Sequence, residues 1–281
     1  MRDKATIKAD IHRTVAAVRR DNPMAGSITN NVTIDFVANA QLAVGGSAAM
    51  VYLPDEAEAL AAAGNAAYAN VGTLMPVLGE SIPRLAAALF RAGKPLVLDP
   101  VAIGIGELRT HILSRLKRYR PAIIRGNASE IIALGNLWGV SGDAARESHT
   151  RGVDATESVS QALEAAVALA RFTGGAVAVS GETDLVTDGA QIVYSSGGSE
   201  LMACVTGFGC SLGGVMAVYA TEADPFTAAL TGVQVYNLAG SRAETQESAP
   251  GSFKVAFIDA LYRATPEEIA AYPFEIQEVV R

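Results

Sequence analysis

The stretch Pro95-Leu-Val-Leu-Asp-Pro100, with the helical pattern Thr110–Tyr119 and the run Ala122-Ile-Ile-Arg-Gly-Asn-Ala-Ser-Glu130 after it, decides the fold class. Leu96, Val97 and Leu98 are apolar on both faces, as suits a central strand of a parallel sheet covered on both sides. A second apolar run, Ala122–Arg125, arrives after a single helix, and another helix over Ala128–Leu134 follows it. Strand–helix–strand spacing of this kind predicts right-handed crossovers and a parallel sheet between two helical layers.

The same alternation extends outward. Candidate strands at Ala48–Leu53, Ala67–Val71 and Ala176–Ser180 are separated by helical patterns at Asp55–Ala63, Val77–Ala92 and Val159–Thr173. Thr6–Arg20 reads as an amphipathic helix through Ile7, Ile11, Val15 and Val18, stopped by Asn22-Pro23. Ser27–Asn31 reads as a polar loop, and a helix through Val32, Phe36, Val37 and Ala40 ends at Gly45-Gly46. Leu185–Thr187, Asp188-Gly189 and Ala190–Tyr194 predict a hairpin with a two-residue turn at the sheet edge. The last third is helical, over Gly209–Thr221, Pro225–Glu244 and Phe253–Ala264, and Gly142–Thr156 reads as a long polar surface insertion. With no internal repeat and no linker, residues 1–281 read as one α/β domain.

Composition narrows the function. Half of the 281 residues are hydrophobic, which excludes intrinsic disorder. A formal charge of −7 and a pI near 5.1 argue against nucleic acid or an anionic membrane as the main partner, since either needs a basic face. The two cysteines, Cys204 and Cys210, fit neither a zinc spacing nor a disulfide scaffold and point to a reducing cytoplasm. The N-terminal twenty residues lack the apolar core of a signal peptide, and no run of 18 uncharged apolar residues is present to span a membrane. His12, His111 and His149 lie far apart in the chain, so a Ser–His hydrolase or a histidine metal site finds no support.

In a parallel α/β sheet, ligands bind beyond the carboxyl ends of the strands. Four polar clusters fall there: Asp99, Arg125-Gly126-Asn127, Ser180-Gly181-Glu182, and Thr206–Cys210. Gly207-Phe208-Gly209-Cys210 opens a helix, where free N–H groups make an anion site, though the same pattern also serves as an ordinary turn into a buried helix. Cys210 there reads either as a thiolate favoured by the helix dipole or as a small buried hydrophobe. Asp99 before Pro100 reads equally as a Mg²⁺ carboxylate or a turn-initiating residue. Arg125 suits a phosphate fork or a surface ion pair. Asn127 and Glu130 form a capping-box pattern, which is compatible with metal duty for Glu130.

At these clusters the chain resembles the hydroxyethylthiazole kinases, ribokinase-like enzymes of thiamine salvage. The residues that carry the resemblance are Ser27–Asn31, Asp35–Asn39, Gly46–Met50, Asn70–Leu74, Leu98–Val101, Arg109-Thr110, Ile124–Glu130, Ser180–Glu182, Val205–Cys210 and Pro250–Phe253, in the family's order. The resemblance implies a three-layer sandwich with a mostly parallel central sheet and helices on both faces. It implies Mg²⁺- and ATP-dependent phosphorylation of the primary hydroxyl of 4-methyl-5-(2-hydroxyethyl)thiazole, in a homotrimer with sites between subunits. Met50, Gly207 and Asn30 would then meet the thiazole, Arg125 and Ser180 the ATP, and Asp99 and Glu130 the Mg²⁺ with its waters. The amides of Gly207, Phe208, Gly209 and Cys210 would form the anion hole, and Cys210 would stand where related sugar kinases place an Asp base.

The chain departs from the family at Gly26, Asp35, Gln41, Ala102 and Phe208, changes expected to cluster on the acceptor side and to bear on which alcohol is used. A kinase for another small alcohol, a nucleotide-dependent NAD(P)H-hydrate dehydratase and a non-catalytic binder are the competing readings on this fold.

Overall fold

The structure is a computed structural model that describes residues 2–140 and 159–279. In chain order the elements are α1 (Lys4–Asp21), β1 (Met24–Ile28), α2 (Ile34–Ala43), β2 (Ser47–Met50), α3 (Pro54–Ala63), β3 (Ala66–Asn70), α4 (Leu78–Ala92), β4 (Leu96–Asp99), α5 (Glu107–Leu116), β5 (Ile123–Asn127), α6 (Ala128–Trp138) and α7 (Val159–Thr173). There follow β6 (Ala176–Ser180), β7 (Thr183–Thr187), β8 (Gln191–Ser196), α8 (Phe208–Tyr219), α9 (Pro225–Glu244), α10 (Pro250–Arg263), α11 (Pro266–Ala271) and β9 (Glu275–Glu278).

The nine strands form one sheet in the order β2-β1-β3-β4-β5-β6-β7-β8-β9. The first six are parallel and the last three antiparallel. Strand alternation sorts the side chains into two cores. In β4, Val97 faces α8 and α9 while Leu96 and Leu98 face α4 and α5; in β6, Ala176 and Ala178 take the first side, Val177 and Val179 the second. One helical layer is therefore α1, α2, α8, α9, α10 and α11, the other α3 to α7.

Local sequence explains most boundaries. Asp3 caps α1 by accepting from the Thr6 N–H, and Asn22 ends the helix in the left-handed conformation. Asn127 and Glu130 do form a capping box at the start of α6. Three elements depart from the expected pattern. β1 begins inside what reads as a turn and loop, because Ala-Gly-Ser carries little strand signal; its small residues are needed, since a Cβ on Gly26 would lie 2.3 Å from Leu60. β2 stops at Met50, three residues short of the expected Leu53, because Leu53 is already the cap of α3 ahead of Pro54. The hairpin forms, but Ala190 joins its turn and β9, a polar strand with no apolar pattern, takes the edge outside it. Gly142–Thr156 lies outside the described residues.

Candidate active site

The side chains that face the α8 layer turn polar at the carboxyl ends of the parallel strands. Tyr68 and Asn70 in β3, Asp99 in β4, Arg125 in β5 and Ser180 in β6 follow one another across the sheet, with Asn70 paired to Asp99 and Asn127 to Ser180 in register. The start of α8 covers this row. The four clusters expected at the strand ends are thus brought together.

Asp99 is fully buried. Its Oδ2 accepts from Tyr68 Oη at 2.9 Å, Arg125 Nη1 at 3.3 Å and Asn70 Nδ2 at 3.4 Å. Its Oδ1 has no partner among the described residues. Burial pushes the carboxyl up to about 7 against the pull of Arg125, and the neighbouring Glu130 charge adds to the rise. Tyr68 is driven well above its usual range by burial and by Asp99, so it serves as an O–H donor.

Arg125 is 8% exposed, and Nη2 donates to Ser180 Oγ at 3.0 Å. Its Nε is buried without a partner among the described residues. Desolvation opposes its charge, but Asp99 and Glu130 outweigh that and hold the guanidinium protonated. The guanidinium lies across the first turn of α8: a Cβ added to Gly209 would fall 2.4–2.7 Å from its Nη1, Nη2 and Cζ. Gly207 caps the helix at φ +101°, a left-handed conformation that glycine adopts without strain. Free N–H groups, a helix N-terminus and a cation with an unfilled donor meet here, which is the chemistry of an anion site.

Cys210 sits on that turn, and Asn30 Nδ2 donates to its Sγ at 3.4 Å and to Asn70 Oδ1 at 3.2 Å. Burial and the Asp99 charge raise the thiol above its ordinary value, opposite to the thiolate that a helix terminus alone would favour. Asn30 therefore belongs to the same chain's site as Cys210. Met50, on the edge strand β2 opposite Ser27, packs against the same core as Phe208 and lies four strand spacings from Arg125, or about 19 Å.

Glu130 is 6% exposed, and its two oxygens accept from Asn127 N at 2.9 Å and from Ala102 N at 3.2 Å. Ala102 stands at φ +58°, in the left-handed region. No group of three or more His, Cys, Asp or Glu side chains is placed to hold a metal among the described residues. Asp99 with its free, buried oxygen, next to Glu130, nevertheless suits Mg²⁺, which usually takes one or two carboxylates and completes its shell with water and phosphate.

The departures fall at several places in the fold. Gln41 is a core amide that donates to Ala25 O and Gly214 O, each at 3.1 Å. The Phe208 ring packs edge-on against Phe36 and Phe257 at 4.9 and 4.7 Å, so only its N–H faces the anion turn. Gly26 lies under Leu60, Ala102 adjoins Glu130, and Asp35 is exposed at the start of α2.

Tyr68 and Asn70 were not foreseen as site residues, although their spacing of two in a run of alanines places both on one face of β3. Arg109 is a second case. It is buried and donates to the carbonyls of Val71, Ile105 and Gly72, which ties the loop after β3 to the loop after β4.

Comparison with known proteins gives the family. The model of the hydroxyethylthiazole kinase family matches residues 15–267. The chain belongs to that family. A hydroxyethylthiazole kinase of Bifidobacterium longum is 47% identical, over 96% of this chain and 92% of its own length. The solved structure of the hydroxyethylthiazole kinase of Pyrococcus horikoshii superposes with a TM-score of 0.83 at 29% identity, covering 96% and 99% of the two chains. The pyridoxal kinase of Staphylococcus aureus, solved with ADP, matches with a TM-score of 0.58 at 14% identity over 92% and 99% of the chains, a likeness of fold alone. The fold is ribokinase-like and the protein is a kinase, a phosphotransferase. No helix among the described residues is long and apolar enough to cross a membrane.

Proposed function

We propose that this hydroxyethylthiazole kinase transfers the γ-phosphoryl group of ATP to the primary hydroxyl of 4-methyl-5-(2-hydroxyethyl)thiazole, in the cytoplasm and as part of thiamine salvage. The observation that carries the reading is Arg125: a buried guanidinium with an open Nε, laid over the glycine turn of α8 and facing Asp99, whose Oδ1 is open too.

Phosphoryl transfer asks the protein for position and charge neutralisation more than for covalent chemistry. Arg125, steadied by Ser180, holds the ATP phosphates. The N–H groups from Gly207 to Cys210 face the transferred group and stabilise the charge it develops. Asp99 and Glu130 would hold Mg²⁺ and its waters, and the ion would neutralise phosphate charge when bound. The acceptor oxygen forms the new bond to phosphorus as the bond to the ADP oxygen breaks, and the hydroxyl proton passes to Cys210 in its thiolate form. Burial keeps that thiol protonated at neutral pH, so the thiolate that accepts the proton is scarce and a slow kinase is expected. Gly207 and Asn30 line the thiazole side.

The reading extends to a homotrimer of one-domain subunits in which Met50 of one subunit completes the site of the next. Exposed apolar side chains at the β2 end of the sheet support this: Val32 and Leu42 at and beside α2, Val255 and Tyr262 on α10. Head-to-tail contacts of this kind close into a ring.

The test is direct. Purified protein with MgATP and the thiazole alcohol, followed by ³¹P NMR and mass spectrometry, is expected to give the monophosphate and ADP in equal amounts. ATP binding without product would point to another alcohol or to a binding protein. For the shared site, Met50→Arg and Arg125→Ala are each expected to be nearly inactive. Mixed trimers of the two regain activity, and recovery of none in assembled trimers would place both halves in one subunit.

A further inference from the structure

The polar row does not stop at Ser180. Leu185 of β7 joins the core under α7 and Val186 the core under α9, so Asp184 faces the α9 layer, as do Arg125 and Ser180. Its Oδ1 accepts from the Gly181 N–H at 3.1 Å and closes the turn that follows Ser180. Its Oδ2 accepts from Asn237 Nδ2, also at 3.1 Å. Asn237 is 4% exposed on α9 and also donates to Ser195 Oγ at 3.1 Å, where Gln234 donates at the same distance. The pair therefore links the rigid long helix to the turn that carries Ser180, and Ser180 is one of the two side chains that hold the Arg125 guanidinium. Burial raises the Asp184 carboxyl to about 6, and the Arg125 charge acts on it in the opposite direction, so the two side chains sense each other.

The geometry points to Asp184 and Asn237 as a positioning pair for the nucleotide: they set the Ser180–Glu182 turn and, through Ser180, the place of Arg125 over the α8 turn. The inference rests on the reading that Arg125 and Ser180 meet the ATP phosphates. Asp184 bonds to Gly181 and Asn237 rather than to Cys210 or Asn30, so its loss is expected to act on ATP and to spare the alcohol.

The experiment measures KM for ATP and for the thiazole alcohol, with kcat and the melting temperature, in the full chain. Asp184→Ala is expected to raise KM for ATP by about five-fold or more with the acceptor KM within about two-fold. Asp184→Asn, which keeps the volume and the acceptor for Gly181, is expected to give a smaller rise in the same direction and serves if the alanine variant does not fold. The exchange Asp184→Asn with Asn237→Asp reverses the bond between α9 and β7 and is expected to return KM for ATP to within about two-fold of the parent. A folded Asp184→Ala with unchanged KM for ATP, or equal rises for both substrates, overturns the inference. Arg125→Lys and Ser180→Ala are measured alongside. If neither moves KM for ATP, the nucleotide placement itself is wrong; if both do and the Asp184 variants do not, only the positioning pair falls.

Discussion

Replacing Gly209 by alanine separates stability from activity at this site. The position is the second residue of α8 and its backbone is not in the left-handed region, so alanine costs the helix nothing there and favours it by about 1 kcal/mol over glycine. The new Cβ would lie 2.4 Å from Arg125 Nη1 and 2.5 Å from Nη2, where ordinary contact needs 3.4 Å or more. The guanidinium must therefore move by about 1 Å. Its bond to Asp99 is already 3.3 Å and that to Ser180 3.0 Å, so such a shift breaks or bends at least one of them. A displacement of this size in a positioning group costs on the order of 100-fold in rate.

The expected result is a Gly209→Ala protein that melts within a few degrees of the parent, the helix gain offset by the weakened Arg125 bond, and loses about 100-fold in kcat/KM for ATP. ADP release is read in a coupled assay at saturating acceptor, and the melt by circular dichroism. Gly251→Ala, where an added Cβ meets nothing within 4 Å, is the control. A folded Gly209→Ala enzyme with activity within about three-fold of the parent would refute the assignment of Arg125 to the phosphates.

Other variants test separate links. Cys210→Asp is expected to keep or raise turnover, since a carboxylate accepts a proton more readily than a raised thiol, and Cys210→Ser to lower it about ten-fold; a change in melting temperature with no change in rate would reduce Cys210 to packing. Gln41→Leu removes the side-chain bonds to the Ala25 and Gly214 carbonyls, which keep their strand and helix partners, and is expected to cost about 1–2 kcal/mol by urea melting while both KM values stay put; a shifted acceptor KM would put Gln41 on the acceptor side. For pH, the folded state binds the Asp184 proton more tightly than the unfolded chain. Its contribution to stability is full below the ordinary carboxylate range and is lost as pH rises through about 6, so Asp184→Asn should flatten that part of the stability profile, and an unaltered profile would contradict the raised value.

The parallel half of the sheet was legible because its strands are buried on both faces, as at Leu96–Leu98, and because single helices separate them. The strand-end rule then located Asp99, Arg125, Ser180 and the α8 turn. Elements held together by small or polar residues were not legible. β1 relies on Ala25 and Gly26 fitting under Leu60, and β9 on edge pairing by Glu275 to Glu278, neither of which leaves a hydrophobic period. For α11 a signal existed: Thr265 and Glu268 form a capping box that the pattern Thr-Pro-Glu-Glu spells out. The surroundings of the departures were not legible for a related reason. Spacing says that Gln41 and Phe208 differ from the family, but only the packing of α2, α8 and α10 shows that both turn inward.

The charges of the site also bear on how the substrates enter. Arg125 and Asp99 partly satisfy each other at 3.3 Å in a place where neither meets bulk water. An anion that claims Arg125 at the α8 turn takes from Asp99 the one cation bonded to it among the described residues. Asp99 must then take up a proton, which its value near 7 makes accessible, or gain another positive partner at its free Oδ1. A nucleotide that arrives with its divalent cation meets both needs in one event: phosphate oxygens for Arg125 and a positive charge for Asp99. The buried pair thus favours the metal complex over the free nucleotide, because binding the anion alone leaves a carboxylate in the core with its charge unanswered.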